Sequence, residues 1–85
     1  MVEFKTNTAY HAETEEEAIW LLTEADKQGY EWRSGCSFLN NVRYQQDRCY
    51  YPIEGQHSDL EWAKNNHYNI IKIKHLITEK QIELW

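Results

Sequence analysis

The chain has 85 residues, which is long enough for a single domain, residues 1–85, with a small core. Its net charge is −5. Its longest apolar runs are far shorter than the roughly 20 residues of a membrane-spanning helix, which predicts a soluble, cytoplasmic protein with no membrane segment. The excess of Asp and Glu over Lys and Arg lies entirely in residues 1–35. This acidity disfavours direct binding of nucleic acid, which depends on Lys and Arg contacts to phosphate.

A strand and an acidic helix are the first predicted elements. Residues 2–6 alternate apolar and polar side chains, which is typical of a half-buried strand. Thr14 and Glu17 have the spacing of a capping box, and Gly29 can end a helix in the left-handed conformation. We therefore expect a helix over about residues 15–28.

The two faces of this helix differ. Its apolar residues fall within one narrow arc, which predicts the core-facing side: Ala18, Leu21, Leu22 and Ala25. Trp20 lies nearly opposite them, among charged neighbours. A large aromatic side chain ringed by carboxylates resembles a protein-binding hot spot, with a Trp anchor and a polar rim. The sequence thus predicts a partner-binding surface made of Trp20, Glu13, Glu16, Glu17 and Glu24.

The remaining elements are predicted as strands and one further helix. Short aromatic segments at 30–33 and 48–53 favour strands, and residues 60–64 and 68–75 are expected to form a hairpin around Asn65 and Asn66. Residues 37–47 are polar and predict a loop, with a strand over 36–39 as the alternative. Thr78 and Gln81 repeat the capping-box spacing, which predicts a short helix over about 79–85. The expected fold is α+β: a mostly antiparallel sheet of four to five strands with the acidic helix packed on one face.

Three segments together resemble small proteins encoded by bacteriophages and prophages of Gram-positive bacteria. They are Phe-Lys-Thr at 4–6, Gly-Tyr-Glu-Trp-Arg-Ser-Gly at 29–35 and Tyr-Asn-Ile-Ile-Lys at 68–72. The resemblance implies a phage accessory protein, with a role such as host takeover or anti-defence, including inhibition of the anti-CRISPR kind. It implies no catalytic residue.

Metal and catalytic sites have little support in the residue spacing. His11, His57, His67 and His75 with Cys36 and Cys49 include no tight pair of zinc ligands, so no metal or cofactor is expected, and the cysteines are predicted to be free thiols. A ribonuclease-like enzyme would use His57 or His67 as general base beside Arg43, Arg48 or Lys64. Nothing in the spacing positions these groups, so a non-enzymatic protein is the leading expectation.

A ligand pocket is the alternative to the partner surface. Aromatic residues and arginines offer stacking surfaces and phosphate donors suited to a nucleotide: Tyr30, Trp32, Arg33, Ser34, Arg43, Arg48 and Tyr50, with Tyr44 and Tyr51. The first expectation remains a phage-type protein that binds and inhibits a host protein with a basic surface, in the host cytoplasm. A homodimer is left open, and sequestration of a nucleotide-type ligand is the second expectation.

Overall fold

The computed structural model describes residues 2–77, which include four strands and the helices α1 and α2. In chain order they are β1 (Thr8–Ala12), α1 (Glu15–Lys27), β2 (Arg48–Tyr51), β3 (Gln56–Asp59), α2 (Leu60–Asn65) and β4 (Asn69–Lys72). A 3₁₀ turn at Phe38–Asn40 interrupts the long connection between α1 and β2, and the backbone at 73–77 is helical. The predicted helix at 79–85 lies outside the described residues.

The strands form one sheet in the order β3-β2-β1-β4. β1 pairs antiparallel with β2 and parallel with β4, and β2 pairs antiparallel with β3. Because side chains alternate between the faces of a sheet, two apolar clusters form. One contains Tyr10, Ala12 and Tyr50 together with the apolar residues of α1, and the other joins Ala9, Cys49 and Tyr51 to Ala63 of α2. The predicted α+β fold, with a mostly antiparallel sheet and an acidic helix on one face, is confirmed.

Helix α1 begins and ends at the residues that the sequence indicated. The Thr14 hydroxyl accepts the backbone N–H of Glu17 at 3.2 Å, and the Glu17 carboxylate accepts the N–H of Glu13 at 2.9 Å. At the other end Gly29 has a φ of +91°, and the N–H of Tyr30 donates to the carbonyl of Ala25 at 3.1 Å. This is a Schellman ending, in which the left-handed glycine satisfies the last carbonyls. The predicted core face of α1 is buried throughout.

Two strands predicted in the N-terminal half of the chain, at residues 2–6 and 30–33, are wrong. Residues 2–6 do alternate, and Val2 and Phe4 are buried, but the described chain enters the sheet only after Asn7, whose φ is +56°. Alternate residues of the 2–6 segment are therefore buried in the core without the hydrogen bonds of a paired strand. Residues 30–32 have no regular structure and a turn begins at Arg33, where the N–H of Trp32 bonds to the carbonyl of Cys36 and that of Arg33 bonds to the carbonyl of Gly55.

The predicted hairpin over 60–75 is also wrong. Asp59 accepts the N–H of Trp62 at 2.7 Å and caps α2, a short helix whose Leu, Glu, Ala and Lys residues are good helix formers. The left-handed residue after α2 is His67, with a φ of +61°, while Asn66 is not left-handed. The chain then enters β4 parallel to β1, and strand geometry stops at Lys72, short of the predicted His75.

The remaining predictions concern the middle of the chain. The strand expected at 48–53 exists as β2, which ends at Tyr51 before a turn over 52–55. The loop expected at 37–47 is confirmed, and the alternative strand at 36–39 is wrong, because Phe38 is buried in a 3₁₀ turn. No helix among residues 2–77 is both long enough and apolar enough to cross a membrane.

Candidate functional site

A cleft of about 650 Å³ lies along β3, one of the two edge strands of the sheet. Its walls come from separate parts of the chain: residues 32–34 after α1, Arg43 of the long connection, Tyr51 of β2, residues 55–59 and Trp62 of α2. This volume is within the usual range for sites that hold a small ligand. We call this depression the edge cleft.

A close backbone contact holds two of these walls together. The N–H of Arg33 donates to the carbonyl of Gly55 at 3.0 Å. A Cβ on Gly55 would lie 2.5 Å from the carbonyl oxygen of Glu31 and 2.6 Å from the nitrogen of Arg33, so only glycine permits this approach. Gly55 therefore positions residues 32–34 beside the hairpin that carries β3.

Two of the three arginines of the sequence line the edge cleft, and the third contacts a lining residue. Arg33 and Arg43 line it, and both are exposed. Arg48 is not a lining residue, but it donates from Nη1 to the Nδ1 of the His57 imidazole at 2.9 Å. The Nε of Arg48 is buried and has no hydrogen-bond partner among the described residues. A chain with a net negative charge thus gathers guanidinium groups at one place, which favours an anionic ligand there.

The surroundings of His57 favour the neutral form of its imidazole. Burial lowers the pKa of the His57 imidazole below its ordinary 6.5, and the charges of Arg48 and Arg43 lower that pKa further. Because a guanidinium can only donate, Nδ1 of the neutral ring must be the acceptor and Nε2 must carry the hydrogen. His57 can therefore donate a hydrogen bond to a ligand oxygen.

Aromatic rings supply the apolar walls. Trp32 is buried, its Nε1 donates to the carbonyl of Asn41 at 2.9 Å, and its ring lies 5.8 Å from the Arg43 guanidinium carbon. Trp62 is 45% exposed and stacks on Tyr68 at 5.7 Å, with the two planes 29° apart. An indole this exposed on a small domain is a ready stacking surface for a planar ligand.

The predicted pocket residues are partly brought together. Trp32, Arg33, Ser34 and Arg43 line the edge cleft, and Arg48 reaches it through His57. Tyr51 also lines the cleft, and three others lie elsewhere. The Tyr44 hydroxyl donates to the carbonyl of Glu13 at 3.0 Å. Tyr50 is fully buried, with its hydroxyl donating to the carbonyl of Val42 at 2.9 Å, and Tyr30 packs edge-on against Phe4.

Several lining residues were absent from the predicted pocket set. They are Gly55 of the turn and, on β3 or α2, Gln56, His57, Ser58, Asp59 and Trp62. The signal that could have identified them is the Pro-Ile-Glu-Gly turn at 52–55. A turn directly after the β2 segment implies that the next residues return alongside it as a hairpin.

The predicted partner surface on α1 is only partly accessible. Trp20 is half-buried and packs against the larger apolar cluster. Glu13 forms an ion pair with Lys74 at 3.0 Å, and this hydrogen bond lowers the pKa of the Glu13 carboxyl. Glu17 is occupied with the helix cap, while Glu24 is half-buried and Glu16 is exposed. The exposed apolar side chain of α1 is Ile19, at 44%.

The other histidines and thiols do not form a second site within the described chain. His11 is buried and its Nε2 contacts the Asp47 carboxylate at 2.9 Å. Cys36 and Cys49 are both free thiols. Residues 2–77 contain no group of three or more His, Cys, Asp or Glu side chains that could hold a metal ion.

The edge cleft combines positive charge, ring surfaces and one carboxylate, that of Asp59, in a single depression. Such a site can hold an anionic group by charge-assisted hydrogen bonds and a planar group by stacking. Comparisons with protein-family models, curated proteins and solved structures find no match to this chain, so these side chains alone carry the assignment of function.

Proposed function

We propose that the protein binds a small phosphorylated ligand with a planar ring, of the nucleotide type, in the edge cleft. The observation that carries this proposal is that two of the three arginines line one cleft and the third bonds to the lining residue His57, in a chain of net charge −5. Guanidinium groups match phosphate geometry and remain charged at every relevant pH. A protein that binds such a ligand without converting it would act by sequestering it.

The stacking surfaces and His57 support the same proposal. Trp62 and Tyr51 line the cleft beside the polar residues of β3, and their rings lie 6.1 Å apart, nearly perpendicular. Stacking on an aromatic side chain contributes about 1–3 kcal/mol per base. His57, with Nδ1 occupied by Arg48, favours a hydrogen-bond donor role over that of a general base, because the neutral ring has no free lone pair.

Binding can be tested by thermal shift and calorimetry with nucleotides, cyclic dinucleotides and inorganic phosphate. A ligand at one hundred times its Kd raises the free energy of unfolding by about 2.7 kcal/mol. Arg43→Gln should weaken binding about tenfold or more, since hydrogen bonds to charged groups are worth about 1.5–3 kcal/mol. Lys27→Gln is the matched control, because it removes the same charge from a residue that does not line the cleft. Absence of any shift across the panel would refute the proposal.

A second candidate is binding of a host protein through the acidic side of α1, the role expected of a phage accessory protein. The observation that favours it is the exposed Ile19, which follows the exposed Glu15 and Glu16. Ile19→Glu should abolish capture of a host protein from lysate. Leu39→Glu is the control, because Leu39 is equally exposed, at 44%, and lies outside α1. Equal capture by both variants would eliminate this candidate.

A further inference from the structure

The edge cleft has one acidic lining residue, Asp59, in a setting that differs from that of the arginines. Its Oδ1 accepts the N–H of Trp62 at 2.7 Å, and the residue as a whole is exposed. A carboxylate has about four lone-pair positions, so one backbone hydrogen bond leaves most of its acceptor capacity for a ligand.

The contacts in the cleft fall into a basic group and an acidic group. The basic group surrounds Trp32, whose ring lies 5.5 Å from the His57 ring and 5.8 Å from the Arg43 guanidinium. The acidic group is Asp59 with Trp62, joined by the capping hydrogen bond, and the Cα partner of Asp59 across the β2–β3 pair is Arg48. A phosphate would favour the basic group and be repelled by Asp59, which leaves Asp59 and the exposed Trp62 indole for the ring of the same ligand.

We propose that Asp59 is a specificity-determining residue that selects guanine, and this inference rests on the proposed binding of a nucleotide-type ligand. Guanine presents two neighbouring donors, N1–H and the N2 amino group, which match the two oxygens of a carboxylate. Adenine and cytosine each place a ring-nitrogen acceptor beside their amino donor, and uracil flanks its one N–H with two carbonyl oxygens. A carboxylate would therefore face a lone pair in each of these bases and only donors in guanine.

The test is calorimetry of the full chain with guanosine, inosine and adenosine monophosphates. Guanosine monophosphate should bind at least about tenfold more tightly than adenosine monophosphate, because a site that hydrogen-bonds a ligand group rejects analogues lacking it. Inosine monophosphate, which keeps N1–H and lacks the N2 amino group, should fall between them. Asp59→Asn should reduce the ratio between the guanosine and adenosine monophosphates to about twofold or less.

Asp59→Asn separates recognition from stability. Asn is as good an N-cap as Asp, so the hydrogen bond from Trp62 and the thermal midpoint should both persist. Its amide keeps one oxygen acceptor and replaces the other with a donor, which removes the match to guanine. Asp59→Ser is a second variant that keeps a capping oxygen and lacks the carboxylate.

The outcomes separate the two proposals. A guanine preference that is lost in both variants, with unchanged melting, supports the inference. Equal binding of the three nucleotides, or a preference that survives in Asp59→Asn, overturns guanine selection and leaves nucleotide binding in place. If neither nucleotides nor inorganic phosphate bind, both proposals fail.

Discussion

Replacing Gly55 by alanine tests whether the close contact beneath the edge cleft is as tight as the structure shows. Gly55 has a φ of +68°, and an added Cβ would meet the backbone of Glu31 at 2.5 Å and of Arg33 at 2.6 Å. The left-handed conformation costs a non-glycine residue about 1–2 kcal/mol, and overpacking against groups that cannot move costs about 1–3 kcal/mol more. We expect Gly55→Ala to lower the free energy of unfolding by about 2–5 kcal/mol.

Gly29→Ala provides the matched comparison. Gly29 has a φ of +91°, and a Cβ there would have nothing within 4 Å, so only the conformational cost of about 1–2 kcal/mol applies. At about 4–8 °C per kcal/mol for a domain of this size, the two variants should differ clearly in thermal midpoint. Equal m-values in urea unfolding of both proteins would show that the variants differ in stability and not in the surface exposed on unfolding. If Gly55→Ala loses no more stability than Gly29→Ala, the close approach is not present.

Three further predictions concern side chains outside the main proposals. Trp20→Ala should lower the free energy of unfolding by about 1–3 kcal/mol because Trp20 packs on the core, while Ile19→Ala should change it by less than about 0.5 kcal/mol. Equal thermal midpoints of the two variants would contradict this expectation. The pKa of His57 is lowered in the folded protein, so as the pH drops below 6.5 His57 takes up a proton in the unfolded chain first, and the free energy of unfolding should fall. His57→Gln should flatten that part of a pH–stability curve. Burial raises the pKa of the Cys49 thiol to about 11, so iodoacetamide should label the exposed Cys36 in the native protein and Cys49 only after unfolding, and native labelling of both would refute its burial.

The parts of the fold that were predictable depend on local chemistry. Thr14, Glu17 and Gly29 determine α1 through hydrogen bonds within a few residues of each other, and the sequence shows those residues directly. Residues 60–64 were misread because a short apolar segment has no clear period. The decisive signal was the cap at Asp59, which precedes that segment.

The edge cleft was only partly predictable for a different reason. Arg33, Arg43 and Arg48 come from three separate segments, and the Gly55 contact that joins two cleft walls links positions 22 residues apart. Strand β3 contains no apolar residue, so its place in the sheet follows from pairing with β2 and not from its own pattern. The residue types can suggest a phosphate-binding pocket, but the β2–β3 hairpin determines which of these residues lie together.

The order of the strands has a consequence for how the chain folds as it is synthesised. β1 lies between β2 and β4, and its partners follow about 40 and 60 residues later in the sequence. A nascent chain can therefore form α1, and then the local β2–β3 hairpin, before the parallel partner of β1 has left the ribosome. Closing such long loops is slow, and the backbone groups of β1 that bond to β4, on the side opposite β2, stay unpaired until residue 72 is available. The N-terminal strand is among the first segments made and the last to be fully paired.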